Sequence, residues 1–218
     1  HIINNRGVNL DIKIKEAIVE GNLFHDTMQE IKHHGDEAFV FQKLRRLATI
    51  SEQKIAALQL KVQTVLQDPA LYPLFEIDAQ VYNERDIITK QGHSLRPDRL
   101  NFHSQTNSVS IIDYKTGSNK YPDPKQLRLM ALMVFTHFPE VNKIKGGLMF
   151  VMKNSFLTEE YHRKDMDKSW GMFERSLKRL ENSYDDGQWT PNPTPLCGWC
   201  SVDSCEFYKP RVPYNPFV

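Results

Sequence analysis

The sequence predicts a mixed α/β domain that runs in the order helices, three-stranded meander, helix, strand, helix, and ends in a short cysteine-bearing tail. Three observations carry that expectation. Apolar residues recur at helical spacing through the first third, the middle is rich in strand formers and broken by turn residues, and helical spacing returns after Pro124. With 218 residues, 40% hydrophobic and 25% charged, the chain is long enough to bury one sizeable core.

Each element has its own signal. In "GNLFHDTMQEIKHH" Phe24, Met28 and Ile31 share one helical face. "SEQKIAALQLKVQTVLQ" opens at Ser51, a good N-cap, and repeats Ile55, Leu58, Val62 and Val65. "EIDAQVYNERDIITKQGHSLRPDRLNF" and "SVSIIDYKTG" read as about three strands, with turns at "KQG" and "SQTNS". After Pro124, Leu127, Met130, Ala131 and Val134 line one side of a helix, "KIKGGLMFVMK" is a fourth strand, and "DMDKSWGMFERSLKRLENSY" closes the core as a helix. "WTPNPTP", residues 189–195, is a stiff connector. The expected division is therefore a main domain over 1–195, with 196–218 as a cysteine-rich tail packed on it.

Charge and hydropathy set limits. A net charge of +1 gives no overall basic field, so contact with a polyanion has to come from local patches. The longest apolar run, "LMALMVF" at 129–135, is too short to cross a bilayer, and the N-terminus lacks a signal-peptide core, so an intracellular protein without a membrane partner is expected. Cys197, Cys200 and Cys205 lie within nine residues, and the preceding 196 positions contain no cysteine. That distribution does not resemble a disulfide framework and points to a local metal or cluster site.

The stretch "RPDRLNFHSQTNSVSIIDYKTG", residues 96–117, carries the chemistry. Strand alternation puts Ile111, Asp113 and Lys115 on one face, with Ile112 and Tyr114 on the other. If residues 104–108 form a hairpin connection, Asp98 on the preceding strand approaches Asp113. Two carboxylates that close repel unless a proton or a cation lies between them. Hard oxygen ligands with room for water suit Mg²⁺ or Mn²⁺, and a neighbouring lysine can hold a water nucleophile or stabilise a charged transition state. Such a set of groups suits phosphodiester hydrolysis.

"RPD", fourteen residues, then "DYK" resembles the PD-(D/E)XK nuclease superfamily, and the surrounding residues resemble its RecB-like exonuclease branch. "GNLFH" is similar to that branch's upstream motif, a glycine followed four places on by a metal-ligating histidine, here His25. Gln126-Leu127 is similar to its glutamine motif, although Met130 stands where the branch usually has tyrosine. The cysteine triplet resembles the iron-sulfur staple of some members, which needs a fourth cysteine that residues 1–196 do not supply. The resemblance implies a restriction-endonuclease-like core and Mg²⁺ or Mn²⁺ held by His25, Asp98, Asp113 and the Tyr114 carbonyl. It further implies that Lys115 assists the water, that Gln126 positions substrate, and that Cys197, Cys200 and Cys205 hold a 4Fe-4S cluster; with the fourth cysteine missing, Zn²⁺ with a histidine as fourth ligand, or no bound group, are the alternatives. The implied activity is a DNA exonuclease working in recombination, repair or phage DNA processing on single-stranded or free-ended duplex DNA, with a helicase or recombination protein as partner. An endonuclease or flap nuclease with the same site is the alternative within enzymes; a nuclease-fold module that only binds DNA or a helicase is the alternative outside them.

Ordinary roles compete for the same residues. Asp98 could cap a turn, Asp113 and Lys115 could be an exposed strand pair, and Gln126 could be a solvated helix residue. Glu84 could reach a second metal or the histidine, or pair with Arg85 or Arg99. Arg96, Arg99, Lys120 and Arg128 flank the motifs and are the candidates for contact with the DNA backbone.

Overall fold

The helical spacing in the first third produces three helices. In the computed structural model, which describes residues 12–47, 49–78, 80–88, 94–117, 124–194, 197, 198, 200 and 202–208, with side chains from residue 16 onward, these are α1 (Ile12–Glu30), α2 (Asp36–Arg46) and α3 (Glu52–Leu66). Ser51 caps α3 as expected, accepting a hydrogen bond from the Lys54 amide at 3.4 Å, a contact of about 1 kcal/mol. Phe24, Met28, Val40, Phe41, Ile55, Leu58 and Val62 of these helices are buried against Ile112, Tyr114 and Met149 of the sheet.

Five strands make that sheet, in the order β1 (Gln80–Asn83), β4 (Arg99–His103), β5 (Ser108–Lys115), β6 (Lys143–Phe150) and β7 (Ser155–His162). β1, β4 and β5 form the expected antiparallel meander. A small separate hairpin, β2 (Ile87–Ile88) with β3 (Ser94–Leu95), interrupts it. The "SQTNS" turn is a 3-10 turn at Ser104–Thr106 followed by Asn107 at φ 47°; the "KQG" turn lies outside the described residues. β6 (Lys143–Phe150) runs parallel to β5, which requires a crossover. α4 (Lys125–His137) is that crossover and buries Leu127, Met130, Ala131 and Val134 on the sheet face opposite the first three helices, against Ile111, Ile144 and Leu148.

The last strand departs from the sequence expectation. β7 (Ser155–His162) pairs antiparallel with β6. Its sequence, "SFLTEEYH", lacks clean apolar-polar alternation because the strand is only partly buried along most of its length. Gly147 on β6 makes room for it: a Cβ there would collide with the Phe156 ring. The closing helix, α5 (Met166–Asp186), follows. The chain divides into two compact units, residues 16–173 and the two terminal segments, so that both α1 and α5 cross the boundary. Every element of the sheet, and the whole of the site below, belongs to the first.

Candidate active site

Strand β5 ends in Asp113, Tyr114 and Lys115. Alternation sends the Tyr114 ring into the helical-side core, edge-on to Phe24 and His25, and sends Asp113 and Lys115 toward α4. Asp113 is only 4% exposed. Its Oδ1 accepts from Gln126 Nε2 at 3.1 Å. Its Oδ2 lies 2.6 Å from Lys115 Nζ, yet the approach is too poorly aligned for a hydrogen bond, and this buried oxygen has no other partner. Lys115 Nζ donates to Gln126 Oε1 at 2.9 Å. Asp113, Lys115 and Gln126 thus close a triangle, and Gln126, at the start of α4, is the side chain that spans it.

A second group sits beside the first. Asp98 lies immediately before β4, and not within a strand as expected, and its Oδ2 accepts from the Tyr114 amide at 2.6 Å. That bond anchors the carboxylate at the end of β5. His25 comes from α1, its Nδ1 3.4 Å from Asp98 Oδ2 and 3.9 Å from Glu84 Oε1. Glu84 follows β1 in the left-handed region at φ 48°, uncommon outside glycine. Its amide donates to the Asp98 carbonyl at 3.0 Å, so the two acidic residues are tied together through the backbone.

The charges are crowded. Asp98, as hydrogen-bond partner, raises the His25 pKa above 6.5 against the opposing effect of burial. Burial, then the Asp98 charge, pushes the Asp113 carboxyl up, with Lys115 opposing. Burial, then Asp98, raises Glu84 as well. One imidazole and several carboxylates in such proximity call for positive charge. Ligand atoms of His25, Glu84 and Asp98 all lie within 4.8 Å of one another, and among the described residues no other trio of histidine, cysteine and acidic groups is so placed. With the buried Asp113 carboxylate coupled to them through the charges of Asp98 and His25, this donor set fits a hard divalent cation.

The structure therefore gathers His25, Glu84 and Asp98 in one cluster and Asp113, Lys115 and Gln126 in another, coupled through Tyr114 and through the charges of Asp98 and His25 on Asp113. Tyr114 contributes its amide to Asp98, and its ring to the core. Arg99 is a correction: it is 1% exposed, its guanidinium donates to main-chain carbonyls and lies 3.9 Å above the Phe75 ring, and it is not presented to a DNA backbone. Its side chain projects from β4 onto Phe75 and the segment just past α1, which adjacency to "RPD" does not reveal. Arg96 is exposed and makes a bidentate pair with Asp86 at 2.8 and 3.0 Å. Arg128 is half-buried, 4.0 Å from Glu159 and 3.7 Å from the Met172 sulfur. Lys120 lies outside the described residues. Cys200 and Cys205 are exposed, while Cys197 is half-buried with its sulfur accepting from the Thr194 amide at 3.3 Å.

Gly21 acquires a physical reason. A Cβ on it would stand 2.8 Å from Thr116 Oγ1, so the glycine lets α1 approach the segment just past Lys115, one helical turn before His25. Asn83, which the sequence reading passed over, binds the end of α1 from β1; its only sequence signal is its place next to Glu84.

The sequence profile of the PD-(D/E)XK nuclease superfamily matches residues 4–205, a span that includes every residue of both clusters. A search of curated proteins gives no match. No described helix is long and apolar enough to cross a membrane. Nucleases of this superfamily act on phosphodiester bonds with divalent metal ions, in keeping with the His-Glu-Asp group found here. With the match extending over most of its length, the chain belongs to the PD-(D/E)XK nuclease superfamily.

Proposed function

We propose that the protein is a metal-dependent DNA exonuclease of the RecB-like branch, in which His25, Asp98 and Asp113 hold Mg²⁺ or Mn²⁺, with Glu84 and the Tyr114 carbonyl as further ligands. The observation that carries this reading is the meeting of His25 with Asp98 at 3.4 Å across the distance between α1 and β4, since a histidine from the upstream helix is what the branch's motif implies. When bound, a divalent cation at such a site supplies Lewis-acid chemistry, neutralising charge that builds on a phosphodiester and making water acidic enough to attack.

The side chains do the rest. The Lys115 ammonium, held between Asp113 Oδ2 and Gln126 Oε1, offers positive charge and hydrogen bonds to an incoming phosphoryl oxygen or to the attacking water. Gln126 keeps that lysine in place, and its exposure at the start of α4 supports a contact with the substrate strand. Tyr114 donates its amide to Asp98 and so keeps this carboxylate aimed at His25. The substrate is DNA with a free end, single-stranded or duplex, in recombination, repair or phage DNA processing, in company with a helicase or recombination protein. Cys197, Cys200 and Cys205 are proposed as ligands of a 4Fe-4S cluster or Zn²⁺, which visible absorption of anaerobically purified protein distinguishes.

The test uses linear and covalently closed circular DNA with Mg²⁺ or EDTA, on the wild type and on Asp113→Ala and Lys115→Ala. Linear DNA is degraded only with metal, both variants lose at least about 100-fold in rate, and circles stay intact. Cleavage of circles removes the exonuclease reading; inertness of the wild type toward every substrate removes the enzyme.

A further inference from the structure

Arg99 is a buried guanidinium for which the described residues provide no carboxylate within ion-pair distance. Isolated buried cations are costly, so its partners must be sought elsewhere. Most are main-chain carbonyls: Nη1 donates to Ile31 O at 3.1 Å, and Nη2 donates to Lys32 O at 2.7 Å and to Leu74 O at 2.5 Å, while Nε donates to the Asn101 side-chain oxygen at 2.8 Å. Ile31 and Lys32 lie just beyond the end of α1, where a helix leaves its last carbonyls unpaired and carries partial negative charge. The C-terminus of α1 thus supplies counter-charge to Arg99, and the Asp36 carboxylate, which accepts from the Lys32 and His33 amides just past that helix, adds to it. Asn83 completes the closure, its Nδ2 donating to Gln29 O and Ile31 O at 3.0 and 2.9 Å, while its Oδ1 accepts from Arg99 Nη1 at 3.3 Å.

The positions of these two residues connect the closure to the metal site. Asn83 and Arg99 are directly opposed in the β1–β4 ladder. Glu84 follows the first and Asp98 precedes the second, so each half of the clamp is the chain neighbour of a carboxylate in the His-Glu-Asp group. Its grip on α1 is six residues past His25, about 9 Å along a rigid helix. Fixing α1 at that end sets both its axial position and its rotation relative to Glu84 and Asp98.

We propose that Asn83 and Arg99 are positioning residues of the metal site: by clamping the C-terminus of α1 to the strand residues that neighbour Glu84 and Asp98, they set the spacing of His25 from both carboxylates. The proposal rests on the metal reading above. It goes beyond that reading because it assigns metal affinity to side chains that touch no metal.

A matched control exists in the same unit. Arg163 closes α4 in the same manner, donating through Nε to Val141 O at 2.7 Å and through Nη2 to Phe135 O and Phe138 O at 2.9 and 2.6 Å, but α4 carries none of the His-Glu-Asp trio. Mn²⁺ binding is measured by calorimetry on the wild type, Asn83→Ala, Arg99→Lys and Arg163→Lys, with thermal unfolding in EDTA alongside. Asn83→Ala and Arg99→Lys are expected to raise the Kd for Mn²⁺ roughly 10-fold or more, whereas Arg163→Lys lowers the unfolding temperature and leaves the Kd unchanged. Should Arg99→Lys not fold, Asn83→Ala carries the test alone. Variants that bind Mn²⁺ as the wild type does, or an equal loss of affinity in Arg163→Lys, overturn the clamp and leave the metal site standing. A wild type that binds no Mn²⁺ overturns both.

Discussion

Asp113 is the residue at which function and stability oppose each other. Burial and the charge of Asp98 raise its pKa, so its ionised form weakens the metal-free fold as pH climbs from 3.8 through the folded value. Asparagine keeps an oxygen to accept from Gln126 and removes the charge. Asp113→Asn is therefore expected to abolish DNA cleavage while the unfolding temperature in EDTA stays at or above that of the wild type; a clear drop in stability would show that the Lys115 pairing outweighs the burial. His25 gives the pH dependence. Its pKa is raised, chiefly by its 3.4 Å contact with Asp98, so its contribution to the metal-free fold is fully present below 6.5 and is lost as pH rises through the folded value. A ligating imidazole has to be neutral, so Mn²⁺ must displace that proton. Mn²⁺ affinity should consequently increase as pH climbs above 6.5, and His25→Ala should flatten this part of the profile; calorimetry at several pH values with the variant alongside checks it.

At the scale of the element, α1 is steered at two places beyond the packing of Phe24 and Met28 in the core. Asn83 and Arg99 hold its C-terminal end, and Gly21 lets its middle approach Thr116. Gly21→Ala introduces a Cβ 2.8 Å from Thr116 Oγ1, whereas the Thr116 Cβ would be an unstrained 3.8 Å away. The expected cost is about 1–3 kcal/mol of overpacking, together with slower DNA cleavage because His25 rides on the same helix. Adding Thr116→Ala should restore most of both, as read by thermal unfolding and by cleavage rate. Equal defects in the single and double variants would place the effect of Gly21 elsewhere. Elements differed in how openly they announced themselves. α3 was legible from Ser51 and the Ile55, Leu58, Val62, Val65 stripe, because a helix lying on a sheet needs one apolar face. β7 was not, because half-burial along both faces erases the period-2 pattern and leaves the Gly147 notch under Phe156 as its clearest trace.

Over the whole molecule, the sequence carried the superfamily motif and most of the order of elements, though not β7. Asp98, Asp113 and Lys115 stand in a spacing that needs only one hairpin to meet, and α4 follows β5 because parallel strands need a crossover helix. The proposed roles of His25 and Gln126 rest on motif matches, since composition alone does not mark a helix histidine or glutamine as part of a site. Only the tertiary structure decided that Glu84 joins His25, that Asp98 is oriented by the Tyr114 amide, and that Arg99 turns into the protein. The reason is physical. Local pattern records which face of an element is apolar, but these three outcomes depend on partners far apart in the chain: a carboxylate brought beside an imidazole from another layer, an amide at the end of a neighbouring strand, and the unpaired carbonyls at the end of a helix, whose partial charge makes burial of a guanidinium tolerable.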